Sequence, residues 1–394
     1  MTQNEIGLFH KEKILNILKM QKNLSRADLA RILDLKKSSI SLIIEKLIEQ
    51  GFIREAKNEK EVIKNGRKPT PLEINPGKGY VVGIEVGFQG LFCILVDFQG
   101  NICAREKDCS AKKFRNGEDL ANAIFKMFKN LAKRAGNILG VGIGISARVD
   151  VENGVILSSN LVGGENILLK KILEGKTGIP VFLDSNDNIG GFCEKHLGKG
   201  INSGNMVYIQ RRGALGTAIF INGELYRGFK NYAGELTFYI EELQDRGHSK
   251  NAYGPSLHLR NYFLLELNGR PHPLITQKCG GNKELLTEDM IYEAAQEKDD
   301  FAFRIVKDYA EHYGILAAHI ADFLSPDLIV FGGDFVEGGT FFIETAERAF
   351  RAKASKGISE DVKIAFSLFG NDEVALGATV FAFIQLYRTT NLLE

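Results

Sequence analysis

With 394 residues, 44% of them hydrophobic and 25% charged, the chain exceeds one compact core and fits two or three globular domains. No apolar run reaches the roughly 18 residues that a bilayer span needs, and the start MTQNEIGLFHKEKIL lacks the layout of a secretion signal, so a cytoplasmic protein without a membrane partner is expected. Five cysteines, none in a CxxC pair, argue against a disulfide framework or a cysteine-rich zinc site. The net charge of +1 conceals a polarity. Residues 1–80 hold sixteen Lys/Arg against ten Asp/Glu, for +6, and the remainder carries −5. A basic head on an acidic body is a footprint of a nucleic-acid reader.

Three helical patterns come first in the chain. Ile14, Leu15, Ile17 and Leu18 place an apolar stripe on a helix over Phe9–Met20. Ser25 is a good N-cap for a second helix, RADLARIL, with Leu29, Ile32 and Leu33 on its apolar face. A third helix runs from Lys36 to Gln50 and stops at Gly51, a C-cap residue. The short Asp34-Leu35 link has the length of a helix-turn-helix. Ile40, Ile43, Ile44, Leu47 and Ile48 of the third helix face inward. Its first turns offer Lys36, Lys37, Ser38, Ser39 and Ser41, cations and hydroxyls suited to phosphates and base edges, or simply a solvated helix start. After Gly51 the pattern of strand, polar loop and strand reads as a wing. In it, Gly66-Arg67-Lys68-Pro69 is an extended basic segment. Arg67 and Lys68 there either reach a narrow minor groove or touch phosphates only. Asn75-Pro76-Gly77 marks a boundary, so residues 1–76 form a winged helix-turn-helix DNA-binding domain.

From Tyr80 the pattern becomes α/β. YVVGIEVG and LFCILVDFQGNICAREKDC predict three antiparallel strands with turns near Gln89-Gly90 and Gln99-Gly100-Asn101. A helix near Asp119–Arg134 leads to the strand ILGVGIGIS, and a further helix to PVFLDS. MVYIQ, GTAIFING, a long helix near Phe301–Leu324 and the strand DLIVFGGD follow. Such an order builds sheets covered by helices.

GRKPTPLEINP, GIGISARVD, INGELYRG followed by YAGEL, and IVFGGD together resemble the ROK family of repressors, open reading frames and sugar kinases, over nearly the whole chain. The winged head is similar to that of the family's repressor branch, which controls sugar uptake and catabolism. The resemblance implies a two-lobed actin-like, ribonuclease-H-like body, with a first lobe at 80–190 to which the C-terminal helix returns. A second lobe at 191–394, a ligand cleft between the lobes, and a homodimer or tetramer on palindromic operator DNA are implied as well.

The kinase motifs that this resemblance would bring are damaged. Glu85 stands where the first phosphate loop, DxGGT, begins, and Phe88 occupies the loop itself. The catalytic aspartate of the ENDAN stretch falls on Asn186, an amide that cannot take a hydroxyl proton, and the adjacent Asp187 projects differently. Arg212, Ala214 and Ala218 replace glycines of the second phosphate loop. The zinc histidine of ExGH has become Phe238, with no cysteine behind it. No catalytic residue, metal or cofactor is therefore expected, which leaves a sensor of a sugar or polyol. Residual kinase activity, or a body that serves assembly alone, are the competing readings. The positions matching the family's ligand contacts are Asn160, Ser185, Asn186, Asp187, Glu235 and His258, each of which would equally serve as an inter-lobe hydrogen-bonding group. Because several of these polar contacts are substituted, the expected effector is other than glucose or N-acetylglucosamine.

Overall fold

The computed structural model describes residues 3–56, 70–110, 113–236 and 258–389. The head comprises α1 (Gln3–Met20), β1 (Leu24–Ser25), α2 (Arg26–Ile32), α3 (Lys37–Glu49), β2 (Ile53–Glu55) and β3 (Pro71–Ile74). Ser25 caps α2 as its position predicts. Its Oγ accepts from the Asp28 amide at 3.3 Å, and Asp28 accepts from the Ser25 amide at 3.0 Å, a reciprocal capping box. Helix α3 packs Ile40, Ile44 and Leu47 on Ile14, Leu15 and Leu29. The strands order β1-β3-β2, the sheet of a winged helix. The Arg67 and Lys68 positions lie outside the described residues.

The first lobe holds β4 (Tyr80–Gly87), β5 (Gly90–Asp97), β6 (Ile102–Asp108), α4 (Gly117–Ala132), β7 (Ile138–Ile145), β8 (Arg148–Asp150), β9 (Val155–Ser158), α5 (Leu169–Thr177) and β10 (Val181–Ser185). The second lobe begins with α6 (Asn186–Leu197), β11 (Met206–Arg212), β12 (Ala214–Ile221) and β13 (Glu224–Tyr226). It continues with α7 (Leu259–Leu267), α8 (Pro273–Lys278), α9 (Glu288–Gln296), α10 (Asp300–Leu324), β14 (Leu328–Gly333), α11 (Gly339–Lys353), α12 (Lys356–Asp361) and β15 (Lys363–Phe366). The last helix, α13 (Glu373–Thr389), returns to the first lobe and lies on β4 and β7.

The two sheets share one plan. In the first, β4-β5-β6 form an antiparallel meander, and β7 and β10 extend it in parallel on the other side of β4. In the second, β11-β12-β13 form the meander, and β14 and β15 extend it in parallel beyond β11. The β4–β5 and β11–β12 turns meet, with Phe88 of the first against Gly213 of the second. The glycines of GIGIS and GIEVG have a packing reason. A Cβ at Gly83 or Gly142 would sit 2.0 or 1.9 Å from the carbonyl oxygen of Ala375 or Ala378, so only glycine admits α13 this close.

Head and body share an apolar joint. Phe52 of the head stacks near Phe98 at 5.4 Å between ring centres, and Phe98 meets Phe383 of α13 at 5.5 Å. The Lys19 ammonium lies 3.8 Å from the centre of the Phe383 ring and 3.4 Å from the Tyr387 hydroxyl. Burial there pulls the Lys19 pKa down to about 7, against the pull of Asp97. Lys78 ties the other side, donating to the Gln50 carbonyl at 2.7 Å. Among the described residues, no helix is long and apolar enough to cross a membrane.

Candidate functional site

Helix α3 presents its first turn outward. Lys36, Lys37, Ser38 and Ser39 are exposed and Ser41 is half-buried, while Ile40 and Ile44 are fully buried beneath them. The 3.6-residue period divides the helix into a core face and an open polar face, the geometry by which a recognition helix enters a major groove.

A cleft of about 610 Å³ opens between the lobes. Its first-lobe wall comes from Phe88 after β4, from Ser146–Arg148 after β7 and from residues 158–165 after β9. The second-lobe wall comes from the start of α6, from β11 and β12, and from Glu235. Of the residues expected from sequence, Asn160, Asn186, Asp187 and Glu235 converge on it. Asn160 stands at the exposed lip. Asn186 is buried. Its amide donates to the Ser146 hydroxyl at 3.0 Å and the Val86 carbonyl at 3.3 Å, and its Oδ1 has no protein donor.

Asp187, expected among the effector contacts though a poor substitute for a catalytic base, faces the cleft. As the second residue of α6 it lines the cleft, and Gln210 Nε2 donates to it at 2.8 Å. Burial lifts its carboxyl to about 7. The Gln210 amide opposes that rise, and Glu235 and Asp184 add to it. Gly216 leaves it room, since a Cβ there would meet the carboxyl at 2.1 Å. Burial likewise raises Glu235, which Arg148 draws back, and Arg148 rests on the Tyr232 ring at 5.1 Å. The lobes are also pinned below the cleft. Buried Asp184 at the end of β10 binds Arg227 at 2.6 Å, and Arg227 binds Asn231, whose amide donates to Val149 of the first lobe at 3.2 Å.

The two departures in the phosphate loops turn out to be partners. Arg212 Nη1 lies 3.0 Å from both oxygens of Glu85, and Nη2 donates to the Gly370 carbonyl at 2.7 Å. Both side chains are buried, at 7% and 2% exposure. Burial works against the Arg212 charge, yet Glu85 and Glu373 outweigh it and hold its pKa up. Phe88 packs beside this pair on the backbone of Gly213. Where a nucleotide's phosphates and Mg²⁺ would need amides and open space, a guanidinium, a carboxylate and a phenyl ring stand instead, so the residues present do not fit Mg-ATP. Each change is visible in the sequence. The signal that would have joined them is their complementary charge.

Two expected residues take other places. Ser185 does not line the cleft. Its Oγ caps α6, accepting from the Asn188 amide at 3.3 Å. His258 also lies away from the cleft lining, at the start of α7, where its Nδ1 meets Glu288 and its Nε2 stands 3.3 Å from Asp334. Burial works against its charge, but the two carboxylates win and lift its pKa to about 9. The physical reason is that His258, at the N-cap position of α7, lies between Glu288 at the start of α9 and Asp334 after β14, so both ring nitrogens face acids of the second lobe. Phe238 and the stretch behind it lie outside the described residues. Among the described ones, no group of three His, Cys, Asp or Glu converges as a metal site. Gln210, Arg148 and Ser146 line the cleft without having been singled out from sequence.

The ROK family model matches residues 81–245 and 273–384, and a model of winged helix-turn-helix DNA-binding domains matches residues 10–54. A putative xylose repressor of Caldicellulosiruptor sp. (strain Rt8B.4) is 26% identical over 366 residues, 89% of either chain. A glucokinase of Halalkalibacterium halodurans is 26% identical over 312 residues, covering 76% of this chain and 93% of the other. Among solved structures, a ROK family transcriptional regulator, a homologue of the E. coli MLC protein, superposes with a TM-score of 0.78 at 20% identity, over 98% of both chains. The glucokinase match leaves the head uncovered, whereas the regulator match spans head and body alike.

Proposed function

The chain belongs to the ROK family, and from that premise we propose that it is a sequence-specific DNA-binding repressor of a carbohydrate operon, released by a sugar or polyol in the inter-lobe cleft. The observation that carries this reading is the buried Arg212–Glu85 pair, which fills the place of phosphates while the sugar side of the same cleft stays open and polar. A body built this way binds without phosphorylating. Asn160, Asn186, Asp187 and Glu235 contact the effector, since amides and carboxylates hold vicinal hydroxyls in pairs of hydrogen bonds. Lys36, Lys37, Ser38, Ser39 and Ser41 read the operator, with Arg67 and Lys68 of the wing against the minor groove or its phosphates. The protein works in the cytoplasm as a homodimer or tetramer, whose two-fold symmetry matches a palindromic site. Release follows from a shift between two arrangements of lobes and heads, by the difference in effector affinity between them.

The test starts with duplex DNA selected by the full-length protein from a randomised pool. The selected operator is expected to be palindromic, and a panel of xylose, other monosaccharides, disaccharides and cyclic polyols is expected to contain a member that releases it. Failure to enrich any sequence would overturn the DNA-binding half, and enrichment with no response to the panel would overturn the effector half. Residual sugar kinase activity is a second reading, favoured by one observation: Asp187, lifted to about 7, faces the cleft as a base would. ATP-dependent phosphorylation of a panel sugar that disappears in Asp187→Asn would establish it.

A further inference from the structure

From Asp187 and Gln210, which line the cleft, a line of polar side chains runs back to Tyr208 and Glu373, which do not. Gln210 Nε2 donates to Asp187 at 2.8 Å, and the Tyr208 hydroxyl donates to Gln210 Oε1 at 2.9 Å. Tyr208 also stands beside the Glu373 carboxyl, whose Oε1 is buried without a hydrogen-bond partner and whose Oε2 accepts from the Gly333 amide at 3.4 Å. Gln210, Tyr208 and Glu373 are almost wholly buried, at 1%, 0% and 0% exposure. Gln210 and Tyr208 belong to the second lobe. Glu373 is the first residue of α13, the helix locked onto the first-lobe sheet at Gly83 and Gly142. The line therefore crosses from one lobe to the other. From Glu373, α13 runs about 15 Å to Phe383 and about 21 Å to Tyr387, at roughly 1.5 Å per residue. Those two rings seat Lys19 of the head.

The line has a direction. A tyrosine hydroxyl has one hydrogen to give. When Asp187 is ionised it accepts from the Gln210 amide, Gln210 Oε1 takes the Tyr208 hydrogen, and Glu373 must keep its own proton to bond the Tyr208 oxygen. In the opposite sense Asp187 carries the proton and gives it to Gln210 Oε1. The Gln210 amide, turned over, then donates to the Tyr208 oxygen, and Tyr208 donates to an ionised Glu373. One carboxyl proton is present in either arrangement, on Asp187 in one and on Glu373 in the other. The Gln210 amide turns over between them and passes no proton itself, so one carboxyl releases the proton to solvent and the other takes one up, and each interior bond reverses.

We propose that Asp187, Gln210, Tyr208 and Glu373 form a reversible hydrogen-bond relay that reports occupancy of the cleft to α13, and through it to the seat of the DNA-reading head. This rests on the effector reading above. An effector hydroxyl that donates to Asp187 favours its ionised form and so fixes the sense in which Glu373 holds the proton. Asp187 faces Glu235, and Asp184 paired with Arg227. Glu373 faces Arg212 with its partner Glu85, together with Glu194, Cys193, Ser367 and the Gly333 amide. Burial raises both carboxyls, so each can hold a proton where it stands. Tyr208 and Glu373 are positioning residues, since neither lines the cleft.

The test uses the full-length protein, its selected operator and the effector panel, with Tyr208→Phe, Glu373→Gln and the double variant. Tyr208→Phe removes one oxygen and keeps the ring. It is expected to leave sugar affinity within about twofold while cutting the sugar-induced change in operator affinity by about fivefold or more, the lower range of measured allosteric couplings. Glu373→Gln can donate to Tyr208 but cannot ionise, so it imitates the sugar-bound sense. Operator affinity without sugar should move toward the wild-type value with sugar, and the move should vanish in the double variant. A full sugar response in Tyr208→Phe overturns the relay, as does a loss of sugar binding in proportion to the response, or a Glu373→Gln effect unchanged by Tyr208→Phe. If no sugar alters operator binding by the wild type, the effector reading fails and the relay, which rests on it, fails with it; a wild-type response that persists in Tyr208→Phe overturns the relay alone.

Discussion

The first turn of α3 and the inter-lobe cleft are both polar, and they are built on opposite principles. On α3 the lysines and serines stand in water above a dry core, so their chemistry is that of free side chains. In the cleft the polar groups are withdrawn from water and hold one another: Arg212 with Glu85, Gln210 with Asp187, Asp184 with Arg227. Cations in solvent attract phosphates at no cost to the fold. Charges buried in a cleft cost stability unless paired, and in return their hydrogen bonds are strong and directed. The difference separates a surface of solvated cations and hydroxyls from a site of buried, paired charges.

The largest expected effect tests the buried side of that comparison. Arg212→Ala leaves Glu85 charged and unpaired, and is expected to lower unfolding stability by about 3–5 kcal/mol in urea titrations, whereas Glu85→Leu with Arg212→Met is expected to be close to neutral. Equal losses from both would show that the pair itself, and not the orphaned charge, carries the energy. Next is His258, whose folded pKa of about 9 lies above its unfolded value. Its contribution is fully present below about pH 6.5 and is lost as pH rises through 9, so His258→Asn should cost up to roughly 3 kcal/mol at pH 6 and little at pH 10. A gap that does not narrow over that window would break the assignment of the charge to this histidine.

The head should respond to none of this. Lys36→Ala with Lys37→Ala is expected to change stability by under about 0.5 kcal/mol. Operator binding should weaken, with the slope of log affinity against log salt falling by about 1 for each lysine that meets a phosphate. A pH-dependent effect sharpens the contrast. Asp187 is lifted to about 7, so the folded state binds an extra proton between about pH 4 and 7, and the wild type loses stability as pH rises across that window. Asp187→Asn should therefore be more stable at pH 8 by up to roughly 4 kcal/mol and should lose that advantage toward pH 4. Calorimetric melting at both pH values reads it directly. A less stable variant at pH 8 would mean that the carboxylate is stabilised where it stands.

Much of the architecture is legible in the residues because local rules govern it. Ser25 and Asp28 write a capping box three residues apart, Gly51 ends α3 with positive φ, and the alternation of Ile, Val and Gly in GIEVG and GIGIS marks strands buried on both faces. The cleft is legible only in part. Asn160, Asn186, Asp187 and Glu235 arrive there from three separate stretches, and motif spacing finds them. Ser185 and His258 match the same motifs but are taken up by a helix cap and by two carboxylates. A motif records spacing along the chain, and these outcomes depend on what packs across it.

By itself the sequence determined the winged head, the polar first turn of α3 and the α/β body, since each depends on neighbours a few residues apart. Only the tertiary structure decided that Glu85 and Arg212, 127 residues apart, neutralise each other. Only it decided that Asp187 turns into the cleft, that Tyr208 and Gln210 stand behind it, and that α13 joins this wall to the head. Burial and pairing between distant strands set the charge and direction of these groups, and no spacing along the chain encodes the dielectric in which a side chain comes to rest.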